Sequence, residues 1–374
     1  MDVLSLAKTY IQQKKFDAAL AELKKTPLAD VQDDELHILL GLAYQGLKEF
    51  EPAVKEFRAA LNINPRNSDI SILMGNVYNE KGDYALAEDS YRQAINRGAK
   101  NKAQAYFELG KIHENRDRYE EAIEEYEASL EIEHNRDLSL RLIQLYRVMG
   151  KWEDAERRVL NDLRFISEKD VFLKNILLNE LEMSQRKTVL STKIRSFTIT
   201  LTNRCNLGCL ACEARRYQWE MPKETAEEIM GYLPYLEYIM WQGGEAFLVD
   251  YFKDLLEETK HFPHIKQTIV TNGMLLSEDL IANLMQLPDI VLTISVDGVT
   301  KDVYEDIRRG AKFDKLIKNL EIINSMRKHY NSGMRLHLNV TIMKSNYHQL
   351  LGFIDFAKEY GFGQILFRPV QGNF

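Results

Sequence analysis

Thr202-Asn203-Arg204-Cys205-Asn206-Leu207-Gly208-Cys209-Leu210-Ala211-Cys212 holds all three cysteines of a 374-residue chain within eight positions. Their spacing is C-x3-C-x2-C. A disulfide would leave one thiol over, and a structural zinc site wants a fourth ligand, for which the nearest histidine is His261. Three thiolates suit an iron–sulfur cubane that keeps one iron open to a small chelating molecule able to receive an electron. Cys205, Cys209 and Cys212 are therefore read as metal ligands with a catalytic rather than a structural task, against the alternative of three unrelated thiols.

Around and after this run the chain changes rhythm. From about Arg195, short Val/Ile-rich runs alternate with amphipathic stretches: strands are expected at 196–202, 238–242, 267–271, 290–296, 335–342 and 364–368, with helices at 223–233, 251–260, 277–286, 300–330 and 348–360. Such alternation argues βαβ units and a parallel sheet of six strands. Conspicuous residues stand at strand ends. Gly243-Gly244-Glu245 follows the second strand, where glycines allow close backbone approach and a carboxylate can accept from an ammonium group. Ser295 closes the fourth strand, and Tyr304-Glu305-Asp306-Ile307-Arg308-Arg309-Gly310 follows it. A hydroxyl and a permanently charged guanidinium are what a carboxylate ligand needs.

With the cysteine spacing followed by these motifs, the second half of the chain resembles the radical S-adenosylmethionine (radical SAM) superfamily. That resemblance implies an open, TIM-like partial (βα)6 barrel with chemistry at the strand C-terminal ends. It implies a [4Fe-4S] cluster on the three cysteines and S-adenosylmethionine (SAM) bound through Gly243, Gly244 and Glu245 at its amino group. Ser295 and Arg308 take the SAM carboxylate, with Arg309 as the rival on another face of the same expected helix. Asn272, in Thr271-Asn272-Gly273, and Asn339 are placed near ribose or adenine. The family has an aromatic residue before the last cysteine. Here that residue is Ala211, whose backbone can still meet the adenine but whose side chain cannot stack. No residue is assigned as the catalytic group.

The first half is a different object. Alanine recurs at Ala19, Ala53, Ala87, Ala122 and Ala155, in steps of 34, 34, 35 and 33 residues, each preceded three positions earlier by an aromatic: Phe16, Phe50, Tyr84, Tyr119 and Trp152. Tyr10, Tyr44, Tyr78 and Tyr146 stand nine residues before, with His113 in the fourth copy. The best copy, Leu40-Gly41-Leu42-Ala43-Tyr44 with Ala53, Phe57, Ala60 and Pro65, resembles the tetratricopeptide repeat. Small alanines let paired helices approach, aromatics fill the gaps, and the proline stops the second helix. The tyrosines read as interhelix core.

The fold expected is therefore multidomain: an all-α tetratricopeptide-repeat solenoid over 1–165, linking or capping helices over 166–192, and an α/β radical SAM partial barrel over 193–374. The run Phe367–Phe374 has no following helix, so the barrel reads as truncated, with a cysteine-rich extension implied by the family. The basic residues Arg186, Lys187, Lys193 and Arg195 read as a solvated linker. Lys plus Arg of 49 against Asp plus Glu of 56 gives a net charge of −7, which offers no case for general nucleic-acid or membrane binding. No signal peptide and no span-length apolar run are present in the given residues, and the cytoplasm is expected.

The resemblance implies reductive cleavage of SAM to a 5′-deoxyadenosyl radical that takes hydrogen from a substrate, with an external electron donor. A peptide or protein recruited by the repeats is the first expectation for that substrate. A small molecule or nucleoside is the alternative, and a protein-interaction scaffold with a degenerate barrel is the competing class.

Overall fold

The computed structural model describes residues 2–25, 33–212, 218–330 and 332–370; Gln371–Phe374, the end of the run read as a truncation, lie outside the described residues. Two compact units emerge, Met1–Phe165 with Glu180–Thr188 and Ile166–Asn179 with Val189–Phe374.

The first unit is five antiparallel helix pairs: α1 (Val3–Gln12) with α2 (Phe16–Leu23), α3 (Asp34–Gly46) with α4 (Phe50–Ile63), α5 (Asp69–Lys81) with α6 (Tyr84–Asn96), α7 (Lys102–Glu114) with α8 (Tyr119–Ile132), and α9 (Arg136–Val148) with α10 (Trp152–Leu163). Each repeated aromatic is the first residue of a second helix, and each repeated alanine is fully buried. Pairing depends on size complementarity. A Cβ on Gly41, Gly75 or Gly110 would lie 2.4, 2.5 or 2.3 Å from a ring atom of Phe57, Tyr91 or Tyr126, so each ring of the second helix occupies the notch left by a glycine of the first. In the best copy α4 ends at Ile63, just ahead of Pro65.

The turn inside each pair also repeats. Lys14, Lys48, Gly82, Asp117 and Gly150 all have positive φ, between 57° and 89°. The next residue's amide donates to the carbonyl of Tyr10, Tyr44, Tyr78, His113 or Tyr146, at 2.7–2.9 Å. These are left-handed helix caps of the Schellman type, which satisfy carbonyls that the helix end would orphan. The tyrosine column therefore marks the last full turn of each first helix.

The second unit is a six-stranded, all-parallel open sheet in the order β1 (Ser196–Thr200), β2 (Tyr238–Gln242), β3 (Lys266–Thr271), β4 (Ile290–Ser295), β5 (Arg335–Ile342), β6 (Gln364–Pro369). Helices α12 (Lys223–Met230), α13 (Phe252–Thr259), α14 (Glu278–Leu284), α15 (Lys301–Ile307), α16 (Phe313–His329) and α17 (Leu350–Glu359) form the crossovers. Trp241, Ile269, Leu292 and Leu336 carry the core between sheet and helices, all at 1% exposure or less. On the other face stand Thr293, Ser295 and Asn339, so the lumen side is polar.

Two expectations need correction. The stretch 300–330 is two helices, broken at Arg308–Lys312. In the basic run Arg186, Lys187 and Lys193 are exposed, as expected of a solvated linker, but Arg195 is half-buried and pairs with Glu237 at 2.5 Å; Asn175 also bonds both the amide and carbonyl of Lys193. Between 166 and 192 there is one helix, α11 (Val171–Ser184), and the division between the units falls inside it.

Lys48 adopts φ 63°, a conformation costing an L-residue roughly 1–2 kcal/mol that glycine avoids at an entropic cost of roughly 0.5–1 kcal/mol. Lys48→Gly should therefore slow hydrogen exchange at the Glu49 amide and along α3–α4 about two- to fivefold. Unchanged or faster exchange would contradict the strained-cap assignment.

Candidate functional site

A parallel sheet brings all strand C-termini to one edge, and the cysteine run begins there, just beyond β1. Residues 203–212 carry no helix or strand, so their position is set by attachments to neighbouring elements.

The first attachment is to β2. Gly244 N–H donates to the Thr202 carbonyl at 2.7 Å, and Glu245 N–H to the Arg204 carbonyl at 2.8 Å. A Cβ on Gly243 would lie 2.3 Å from Thr202 O and one on Gly244 2.0 Å from Arg204 O, while Gly243 has φ 132°. The two glycines thus admit the chain's own backbone. A ligand is not what occupies their missing side chains, as the sequence alone suggested.

Glu245 has no exposed surface. Its oxygens accept from Thr271 Oγ1 at 2.8 Å and from Asn272 N–H at 2.9 Å. Burial pushes its carboxyl up from the usual range, against these hydrogen bonds and one from the Phe247 amide. The carboxylate expected to face an ammonium group is therefore engaged with the end of β3 and fastens it to β2; with three of its roughly four lone-pair positions taken, about one remains for further acceptance. Asn272 carries the link onward, with its Nδ2 donating to Asn206 Oδ1 at 2.7 Å and lying 3.7 Å from Cys205 Sγ.

The last attachment comes from the break between α15 and α16. Gly208 N–H donates to the Arg309 carbonyl at 2.8 Å and Leu210 N–H to the Ile307 carbonyl at 2.9 Å, so Cys209 is bracketed on both sides. Arg308 itself turns inward, 7% exposed, and its Nη2 lies 2.8 Å from Asp297 Oδ2. Arg309 is exposed. Of the two neighbours, Arg308 is the buried one. Asp297, just beyond Ser295, is the residue that sequence reasoning missed. Its signal was a carboxylate two positions beyond Ser295, hence on the same face.

Cys205 and Cys209 are half-buried, packed against the main core of this unit, and burial raises both thiols; Cys212 is exposed and Ala211 intermediate. Among the described residues no group of three His, Cys, Asp or Glu side chains stands ready to share one metal ion. A cubane does not require that, because each thiolate binds a different iron. Buried polar atoms without partners gather near Cys209 and Ser295: the Tyr304 hydroxyl, Arg308 Nε and Asn339 Oδ1. Tyr304 is fully buried, with its phenol pushed up to about 12 by burial. The Ser295 hydroxyl is 3.3 Å from Asn339 Nδ2.

Residues 199–362 match the Radical SAM superfamily, and residues 34–67 and 72–135 match two tetratricopeptide-repeat families. The chain thus carries a radical SAM domain behind tetratricopeptide repeats. The radical SAM part is similar to the GTP 3′,8-cyclase of Clostridium botulinum, 26% identical over 182 residues that cover 45% of this chain and 54% of that protein. It is also similar to the mycofactocin maturase MftC of Mycolicibacterium smegmatis, 27% identical over 171 residues covering 44% and 42%. The chain spans about half the length of these relatives. Among solved structures, SuiB of Streptococcus suis bound to S-adenosylmethionine aligns at TM-score 0.45 and 19% identity, over 62% of this chain and 53% of that one.

Gly244→Ala would force a methyl group to within 2.0 Å of a backbone carbonyl, whereas Gly333 has nothing within 4 Å. Gly244→Ala should lower the unfolding free energy by about 1–3 kcal/mol, the usual range for overpacking, with Gly333→Ala close to neutral. Equal unfolding midpoints for the two variants would show that the Arg204 carbonyl can move aside freely.

Proposed function

We propose that this chain is a radical SAM enzyme in which Cys205, Cys209 and Cys212 hold a [4Fe-4S] cluster, and Ser295, Arg308 and the Gly243-Gly244-Glu245 run bind SAM beside it. The observation that carries this reading is the cysteine loop at the strand C-termini, fastened on both sides of Cys209 and lying near the unpaired Tyr304 hydroxyl, Arg308 Nε and Asn339 Oδ1. Those atoms and the thiols together suit a group that offers hydrogen-bond donors, acceptors and a soft metal. When bound, such a pair supplies one-electron reductive cleavage of SAM to a 5′-deoxyadenosyl radical.

The chain's own residues do the rest. Ser295 and Arg308 offer a hydroxyl and a guanidinium to the methionine carboxylate, and the strand-two run borders its ammonium group. Asn272 and Asn339 lie on the path to ribose and adenine, with the Ala211 backbone beside the last cysteine. The polar lumen face of β4 and β5 orients the substrate, and an external reductant in the cytoplasm supplies the electron.

A peptide or protein is the substrate class favoured by the repeat array, whose stacked hairpins present an extended surface. Cavities of about 770 and 580 Å³ lie on that unit, the first bordered by Glu127, Tyr146 and Arg157 and the second by Val54, Arg58 and Tyr78. Mixed charge with an apolar floor suits an extended polypeptide. The second reading, a small molecule or nucleoside, is favoured by the similarity to a protein named for cyclising GTP.

Cys209→Ser should abolish iron absorbance and SAM cleavage in anaerobically reconstituted protein while leaving the helical circular dichroism of the repeats intact. A full complement of four irons in that variant would remove the basis for the cluster.

A chain beginning at Ile166 keeps Asn175 on Lys193, Asn179 on Arg195, and Phe172 tilted against His264 with ring centroids 4.0 Å apart, contacts that a start near Thr192 would lose. Such a chain should cleave SAM without substrate as well as the parent does, yet lose turnover on a polypeptide substrate through the lost effective concentration. Undiminished turnover on that polypeptide would refute recruitment by the repeats.

A further inference from the structure

We infer that Asp297 is a positioning residue: acting through Arg308, it fixes the loop that carries Cys209. The connection is continuous. Asp297 Oδ1 accepts from the Thr341 amide of β5 at 2.7 Å, and Oδ2 pairs with Arg308 Nη2 at 2.8 Å. Arg308 stands between Ile307 and Arg309, whose carbonyls take the amides of Leu210 and Gly208. One carboxylate therefore ties the ends of β4 and β5 to the turn that clamps Cys209.

The base of this strut is independently secured. Asn346, 1% exposed, donates from Nδ2 to the backbone carbonyls of both Asp297 (2.9 Å) and Thr341 (2.8 Å). Removing the Asp297 side-chain charge leaves that base in place and releases the turn. Asp297 and Arg308 are 3% and 7% exposed, so their charge-assisted bond is little screened by water, and nothing else among the described residues forms an ion pair with Arg308.

A purely compensating role, in which Asp297 merely neutralises a buried cation, makes a different prediction. It would cost stability throughout the second unit without singling out the cysteine loop. Hydrogen exchange resolved by residue, on the full chain before cluster reconstitution, separates the two. Asp297→Asn should speed exchange at the Gly208 and Leu210 amides by about tenfold or more, the change expected for loss of one charge-assisted hydrogen bond, while the β4 and β5 amides keep their protection.

The double variant Asp297→Asn, Arg308→Gln removes the stranded buried charge. Its unfolding midpoint should return towards the parent's while the loop amides stay fast. Unchanged loop protection in Asp297→Asn, acceleration spread evenly over the unit, or loop protection restored in the double variant would each overturn the inference.

A second measurement, resting on the cluster reading, follows iron loss to a chelator after anaerobic reconstitution, expected to be about tenfold faster in Asp297→Asn. A parent chain that takes up no iron sinks that reading and leaves the exchange comparison to decide on the strut.

Discussion

Two backbone hydrogen bonds, from Gly244 and Glu245 to the carbonyls of Thr202 and Arg204, determine where the first cysteine stands. Everything proposed for this chain depends on that contact, because residues 203–212 have no regular structure of their own. The bonds require the two chains to approach until a β-carbon on either glycine would collide with a carbonyl oxygen. Once β2 is laid against the loop in this way, Glu245 follows into a fully buried position, and its carboxylate collects Thr271 and Asn272 from β3. Three consecutive strand ends are thus joined by one short run. Backbone geometry, more than side-chain chemistry, assembles this quadrant.

The opposite quadrant works by charge. Arg308 is buried, and a buried guanidinium without an anion would be costly; Asp297 answers it from the end of β4. The cysteine loop lies between the backbone-driven side and the charge-driven side and takes hydrogen bonds from both. In the resembled family the conspicuous residues are read as ligand contacts. Here Gly243, Gly244, Glu245 and Arg308 are also what holds the loop, so a loss of SAM binding in a variant at these positions does not alone distinguish contact from support.

Much of this was legible in the sequence because the signals are local. Tyr238–Gln242 and Arg335–Ile342 are strands at their expected limits, and the repeat period placed every second helix at its aromatic. What escaped depends on distant partners. Within 300–330 the one local sign of a break is Gly310, at φ 92°, but nothing local shows that the chain leaves the helix at Arg308 to meet a partner eleven residues away on another element. Arg195 likewise looks solvated until Glu237 is brought beside it by β-pairing. Glu245 carried a readable functional motif but no sign that both its oxygens would be taken by the next strand.

The repeat caps have an uneven chemistry. Gly82 and Gly150 adopt the left-handed conformation without penalty, and Asp117 is of a type that tolerates it, with the Tyr119 hydroxyl 2.7 Å from its carboxylate. Lys14 and Lys48 have neither advantage, and both lie in the two N-terminal pairs. In an array whose stability is a sum of nearest-neighbour terms, such a local cost is not averaged over the whole. The first two hairpins therefore each carry a turn cost of roughly 1–2 kcal/mol that the glycine-capped third and fifth hairpins do not, and that cost stays with the hairpins that bear it.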